Sequence, residues 1–303
     1  MPSPYDHFVA FGVDNGRKRI VTYLERHTLL TSSTSGGLEK LLRLTQSALL
    51  VLTSYPFLLA YLLPSSPLSV LVSTETLLVG VQDHLNIVRR WMRAFRFLES
   101  LGASLKLYSS PPAASAQSQG RSLDEWLDVL ALTCFGLFGM VESITLFDVA
   151  PVDGLGIFGK EQSDWMNLEA HKFWFVGLYA SAVSAGWKLF RVLAYQPVPT
   201  TTNGDVLGAS EGKTAAEEKE DIKKAAEKRK EERVKWAKEV SEKTTGLTLS
   251  LVADVLDLTI PAATLGWVDL SDGIVGTAML CSSVIMVLQR WKGVGGELDR
   301  WAA

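Results

Sequence analysis

Between Leu44 and Thr74 the chain carries no charged residue, and Pro56, Pro64 and Pro67 interrupt that apolar run. A straight membrane-crossing helix takes roughly twenty apolar residues at about 1.5 Å each. Ser47 to Leu63 comes close to that length, but Pro56 lacks a backbone donor. The segment therefore reads as one kinked span, or as two short helices that dip into one leaflet or pack in a core. Residues 75–107 switch to a 3.6-residue period. Steps of about 100° gather Val81, Leu85, Val88, Trp91, Met92, Phe95 and Leu98 on one side. Gln82, Asn86, Arg89, Arg90, Arg93 and Arg96 fall on the other, opposed nearby only by Asp83 and Glu99. This pattern predicts an interfacial helix, with the apolar residues inserted and Arg89, Arg90, Arg93 and Arg96 at anionic lipid head groups. A surface helix covering a protein core would show the same periodicity.

The remaining pattern predicts further helices separated by loops. Residues 108–122 are rich in Ser, Pro, Ala and Gln and read as a flexible loop. Ser122-Leu-Asp-Glu125 then forms a capping-box signature and opens a helix that is uncharged from Val129 to Val141 and extends to Phe147. An acidic loop over 148–164 follows, with Asp148, Asp153, Glu161 and Asp164 against Lys160. The next helix starts near Asn167 and is uncharged from Phe173 to Trp187. Residues 196–246 form a linker whose 211–243 portion holds ten acids and eleven bases, the pattern of a solvated helix. Two apolar stretches close the chain: 247–268, containing Asp254 and Asp257 and kinked at Pro261, and 273–289.

Flanking charges suggest how these stretches would sit. Arg121, Lys188, Arg191, Arg290 and Lys292 fall at one set of ends, and the acidic loops 148–164 and 269–272 at the other. Hairpins over 123–195 and 247–292 would then enter and leave on the basic side, as the positive-inside bias expects. Trp165, Trp187, Trp267 and Trp291 lie near the ends, where interfacial aromatics belong. The expected architecture is all-α: a multi-helix membrane-associated bundle with two apolar helical hairpins, an interfacial amphipathic helix and a charged solvent-exposed helix. Its regions are 1–107, the loop 108–122, the first hairpin 123–195, the linker 196–246 and the C-terminal hairpin and tail 247–303. A soluble helical bundle would give similarly short apolar helices.

Composition sharpens this picture. The 303 residues are 47% hydrophobic and 21% charged, with a mean hydropathy of +0.15. Those averages conceal the partition, because the 211–243 block concentrates charge that the rest of the chain lacks. A net charge of −3 provides no field to collect nucleic acid. Cys134 and Cys281 both lie in apolar runs and read as buried small hydrophobes. The N-terminus shows no secretory signal pattern, and the C-terminus is not a Ser-Lys-Leu type address. Catalytic chemistry is not expected: no phosphate-binding loop or nucleophile elbow occurs, and Gly154-Leu-Gly156 lacks the third glycine of a dinucleotide site. His7, His27, His84 and His171 show no metal-ligand spacing, so neither metal nor cofactor is expected. Asp254 and Asp257, at i, i+3 spacing, form a polar stripe that stays in water or pairs with bases. Glu142, alone in an apolar stretch, has no evident partner in the sequence.

Several segments carry a family likeness. Asn86-Ile-Val-Arg-Arg-Trp-Met-Arg-Ala-Phe-Arg-Phe-Leu-Glu-Ser-Leu101 resembles the arginine-rich amphipathic segment of the peroxisomal biogenesis factor 11 (peroxin-11) family. So do Ala253 to Pro261, Leu265 to Gly276, Ser282 to Met286, and the helix from Phe173-Trp-Phe175 to Arg191. The likeness runs from about Asp6 to Trp291, is most specific in the C-terminal block, and suggests a fungal-type member. It departs where the family commonly places a Gly-Lys pair: Phe95 stands for the glycine and Arg96 keeps the basic position. The resemblance implies a peroxisomal membrane protein, not an enzyme, that elongates and proliferates peroxisomes through its inserted amphipathic helix. It further implies self-association as a homo-oligomer, recruitment of a dynamin-related fission GTPase with its tail-anchored adaptor, and both termini in the cytosol. An alternative function is a metabolite channel, although polar positions are sparse: Tyr179, Ser181 and Ser184 in one helix, and Thr277, Ser282, Ser283 and Gln289 in another.

Overall fold

The computed structural model describes residues 23–62, 64, 68–110, 121–150, 154–195 and 215–302, and the regular elements among them are all helices. In chain order they are α1 (Tyr23–Ser54), α2 (Pro56–Leu62), α3 (Leu68–Arg93), α4 (Arg96–Ser109), α5 (Leu123–Ile144), α6 (Leu146–Val149), α7 (Lys160–Tyr195), α8 (Ala215–Asp257), α9 (Thr259–Thr264) and α10 (Asp272–Ala302). Most of the loop expected over 108–122, and residues 196–214 of the second linker, lie outside the described residues. Two compact units are present: residues 1–184 together with 250–303, and residues 185–249.

Local chemistry sets the breaks between helices. Pro56 cannot donate to the turn before it, so the chain bends by 98° between α1 and α2. The apolar run thus forms a bent helix pair and not one straight rod. The helix expected over 75–107 is likewise two helices, separated at Ala94 and Phe95. Phe95 adopts φ 68°, a left-handed conformation that suits glycine. Pro261 has the same effect near the C-terminus: its missing N–H would have met Asp257, where α8 ends and α9 takes over. Gly246, by contrast, interrupts nothing, and α8 runs unbroken from the charged block into the apolar stretch.

Helix ends are secured differently from expectation at one point. Ser122 occupies the N-cap of α5, yet its hydroxyl makes no capping bond, and only its carbonyl accepts, from the Trp126 N–H at 3.2 Å. The neighbouring Arg121 instead closes the C-terminus of α4. It donates to the carbonyls of Leu107 and Ser110, each at 2.6 Å, and to that of Tyr108. A guanidinium at the negative end of a helix satisfies carbonyls that have no partner within the helix. Its plane also lies 5.5 Å from the Tyr108 ring centre and 6.0 Å from that of Trp126. The α4–α5 pair is thereby tied at its open end.

The first unit is built inside out relative to a water-soluble globule. Helix α1 packs on α3 and α10, α4 on α5, and α5 on α7. Small residues allow close approach: a Cβ on Gly136 of α5 would meet the Leu101 side chain of α4 at 2.5 Å. Buried positions are largely Ala, Ser and Thr, including Ala131, Ala170, Ala180, Ser47, Thr145, Ser163, Ser184, Ser282 and Ser283. Charged groups are buried as well, among them Glu39, Arg89, Glu142 and Asp257. Large apolar side chains point outward instead, such as Phe57, Tyr61, Leu77, Leu105, Leu130, Phe173, Ile274 and Leu288. Polar, small-residue interiors with apolar exteriors are what a lipid solvent favours.

Among the described residues, Leu123–Ile144, Lys230–Thr264 and Asp272–Trp291 are long and apolar enough to cross a membrane. The bent pair of α1 and α2 makes a fourth if it counts as one span. Helix α7 is not among them. The second unit contains the end of α7 and most of α8. There, described side chains from Lys230 to Lys243 are mostly exposed, and Lys238 lies 3.9 Å from Glu242 one turn on.

The left-handed residue between α3 and α4 gives a direct stability test. Phe95→Gly and Phe95→Ala both remove the ring, but only alanine keeps the Cβ that opposes a positive φ. The glycine variant should be more stable by about 1 kcal/mol. Thermal unfolding of the purified protein in detergent measures it, and the reverse order would contradict the left-handed turn.

Candidate functional site

The 3.6-residue phase of α3 brings Arg89 and Arg93 onto one row and Arg90 beside them, and Arg96 opens α4 just beyond. Two glutamates from other helices meet this row. Glu39 of α1 accepts a hydrogen bond from Arg89 Nη2 at 3.1 Å, with Arg93 Nη1 and Arg96 Nη1 each at 3.9 Å. Glu142 of α5 accepts from Arg93 Nη2 at 2.6 Å and lies 3.7 Å from Arg90 Nε. Arg93 therefore bridges both acids and links three helices. Gln46, two turns after Glu39 on α1, takes a further hydrogen bond from Arg89 Nη1.

A second pair extends the polar seam. Arg43, one turn after Glu39, donates to Asp257 of α8 at 2.5 Å and to Ser282 Oγ of α10 at 3.3 Å. Asp257 is only 2% exposed, so of the two readings of its stripe, pairing with a base is the one realised. Asp254, on the same stripe, accepts from Ser181 at 2.6 Å. Burial, with the positive charge of Arg93 alongside, pulls the pKa of Arg89 down to about 10, so it stays charged at neutral pH. Burial lowers that of Arg90 too. Charges this deep persist only where counter-charges and hydrogen bonds hold them.

The structure places the predicted site residues on two opposite sides of α3 and α4. Val81, Val88, Trp91, Phe95 and Leu98 are exposed, from 41% for Val81 to 69% for Phe95. Leu85 and Met92 are half-buried. Trp91 leans on Phe147, ring centres 5.8 Å apart. The arginines are oriented differently from expectation. Instead of facing outward to head groups, Arg89, Arg90 and Arg93 direct their guanidinium groups into the bundle, and Arg96 alone keeps a substantially exposed side chain, at 39%. The physical reason is Glu39 and Glu142, two carboxylates in apolar surroundings that need positive partners. Sequence reading missed Glu39, Arg43 and Gln46, which lie at i, i+4 and i+7 on α1. Glu142 was the available signal: an acid isolated in an apolar helix implies a base on a neighbouring helix.

The sequence model described as peroxisomal biogenesis factor 11 (PEX11) matches residues 26–291. No curated protein and no solved structure matches the chain.

The network predicts a specific mutational pattern. Glu142→Gln takes from Arg90 its nearest acid and from Arg93 the closer of its two, and should destabilise the protein by about 3 kcal/mol. Replacing both members of the closer pair with apolar residues, Glu142→Leu with Arg93→Met, should recover only the part of the loss that Arg93 carries, a coupling of about 1 kcal/mol or more, because Arg90 still lacks its acid. Unfolding midpoints of the single and double variants in detergent provide the measurement. Strict additivity would remove Arg93–Glu142 as a coupled pair.

Proposed function

The chain belongs to the peroxisomal biogenesis factor 11 family, and from that premise we propose that it elongates peroxisomes by laying the outward face of α3 and α4 into one leaflet of their membrane. Membership assigns it to peroxisome biogenesis at the peroxisomal membrane. The further reading is mechanical. Val81, Val88, Trp91, Phe95 and Leu98 form an exposed apolar row, while the opposite side of α3 is held by ion pairs to α1 and α5. That opposition is the observation that carries the proposal.

Each large apolar side chain taken out of water contributes about 1.5–3 kcal/mol, so a row of five favours insertion strongly. Area is then added to one leaflet alone, which bends the membrane toward a tubule. The arginines act mainly by fixing which way the apolar row faces. Head-group contact falls to Arg96, which can share its guanidinium between Glu39 and a lipid phosphate. In this reading both termini lie in the cytosol, and the protein self-associates to concentrate inserted helices. It hands the narrowed tubule to a dynamin-related GTPase and its tail-anchored adaptor for fission.

Val88→Asp and Trp91→Asp test the mechanism on residues that bear no part of the ion-pair network. Both variants should keep the parent unfolding midpoint in detergent to within a few degrees. Each should lower tubulation of anionic liposomes by about tenfold, since a charge at the inserted row opposes burial by at least 1.4 kcal/mol. Undiminished tubulation by both would refute insertion of this face.

A further inference from the structure

Among α1, α3, α5, α7, α9 and α10 lies a cavity of about 250 Å³ whose polar lining includes Arg43, Arg89, Arg90 and Arg93 together with one acid, Glu142. Asn86 and His171 also line it, and Phe138 and Met279 contribute apolar wall. Three carboxylates answer these four guanidinium groups: Asp257 at 2.5 Å from Arg43, Glu39 at 3.1 Å from Arg89, and Glu142 shared between Arg93 at 2.6 Å and Arg90 at 3.7 Å. The next acid that Arg90 senses, Asp164, is exposed to solvent. Arg96 contributes further positive charge beside Glu39. Among the described residues, these four guanidinium groups therefore outnumber their buried carboxylate partners by one.

The hydrogen bonds fall short in the same place. Nε of Arg43, Arg89, Arg90 and Arg93, and Nη1 of Arg90, are all buried with no hydrogen-bond acceptor among the described residues. Arg89 itself is only 5% exposed. A buried donor left without a partner is costly, and a charged one more so. Excess positive charge and unsatisfied guanidinium donors around one cavity call for an acceptor-rich anion. A tetrahedral oxyanion presents several acceptor oxygens in different directions, and guanidinium groups match phosphate geometry closely. The cavity is several times the roughly 30 Å³ taken by a water molecule, which leaves room for an ester group beside the anion.

We propose that this cavity is a binding site for a phosphate-class oxyanion, held by Arg43, Arg89, Arg90 and Arg93 and serving as the missing counter-charge of the buried arginine seam. The site is independent of whether the outer face of α3 inserts into a leaflet. The anion is either free phosphate or the phosphomonoester head of a lipid reaching in from the membrane.

The test uses the full chain in zwitterionic detergent and follows the unfolding midpoint. One arm adds inorganic phosphate against chloride at matched ionic strength, and the other adds phosphatidic acid against phosphatidylcholine in mixed micelles. A rise with phosphate identifies the free ion as a sufficient ligand, and a rise with phosphatidic acid alone identifies the lipid head. No rise over either control overturns the proposal, leaving the cavity to water. Arg90→Gln removes the surplus charge with the longest ion-pair distance. It should raise the midpoint without added anion and abolish the anion-dependent rise, whereas a retained rise would put the anion elsewhere and overturn the assignment. Asn86→Phe, which fills the cavity without touching an ion pair, should weaken the apparent affinity by about tenfold or more. Unaltered affinity in that variant would also count against the cavity.

Discussion

A carboxylate or guanidinium placed among apolar helices has to find an opposite charge, and the rest of this structure is arranged around that requirement. Glu39 and Glu142 enter from α1 and α5, and both are satisfied by the arginine row of α3 and α4. Because the row must face them, the apolar row on the far side of α3 has no choice but to face out. Arg43 and Asp257 extend the same seam to α8 and, through Ser282, to α10. Separate parts of the chain are thus joined by a few polar groups and not by an oily core. In lipid this is a sound strategy, since tails compete with leucine for leucine but offer nothing to a buried charge.

Much of the helix framework was legible in the sequence. The uncharged stretches, the proline breaks at Pro56 and Pro261 and the two-sided character of residues 75–98 all appear as helices or helix ends where the pattern put them. What the pattern could not say was which side of α3 meets protein. A helical wheel separates arginines from valines equally well whether the arginines touch water, lipid heads or glutamates. Glu142 held the missing clue, but its partner row lies 49 residues away from it in sequence, beyond the reach of any local period. Glu39 was harder to notice, sitting next to Lys40 in an ordinary-looking segment.

Two local features were masked for different reasons. The break at Phe95 is invisible to propensity, since phenylalanine does not advertise a left-handed turn. The continuity of α8 through Gly246 was obscured by the change of composition at that point. Backbone hydrogen bonding is indifferent to such a change, and a lone glycine costs a long helix only about 1 kcal/mol. Composition marks where the surroundings of a helix change, which need not be where the helix ends.

The inward arginine row also makes the direction of the apolar face a matter of counting. Residues along α3 advance by about 100° each, so Arg89 and Arg93 share a side only because three residues separate them. A chain of identical composition with one residue added between them would keep every arginine and every valine. Its outer row, however, would be swung a quarter-turn and more from its present direction on one side of the insertion. For this helix the spacing of the buried charges, more than the hydrophobicity of the exposed residues, decides which way the outer row faces.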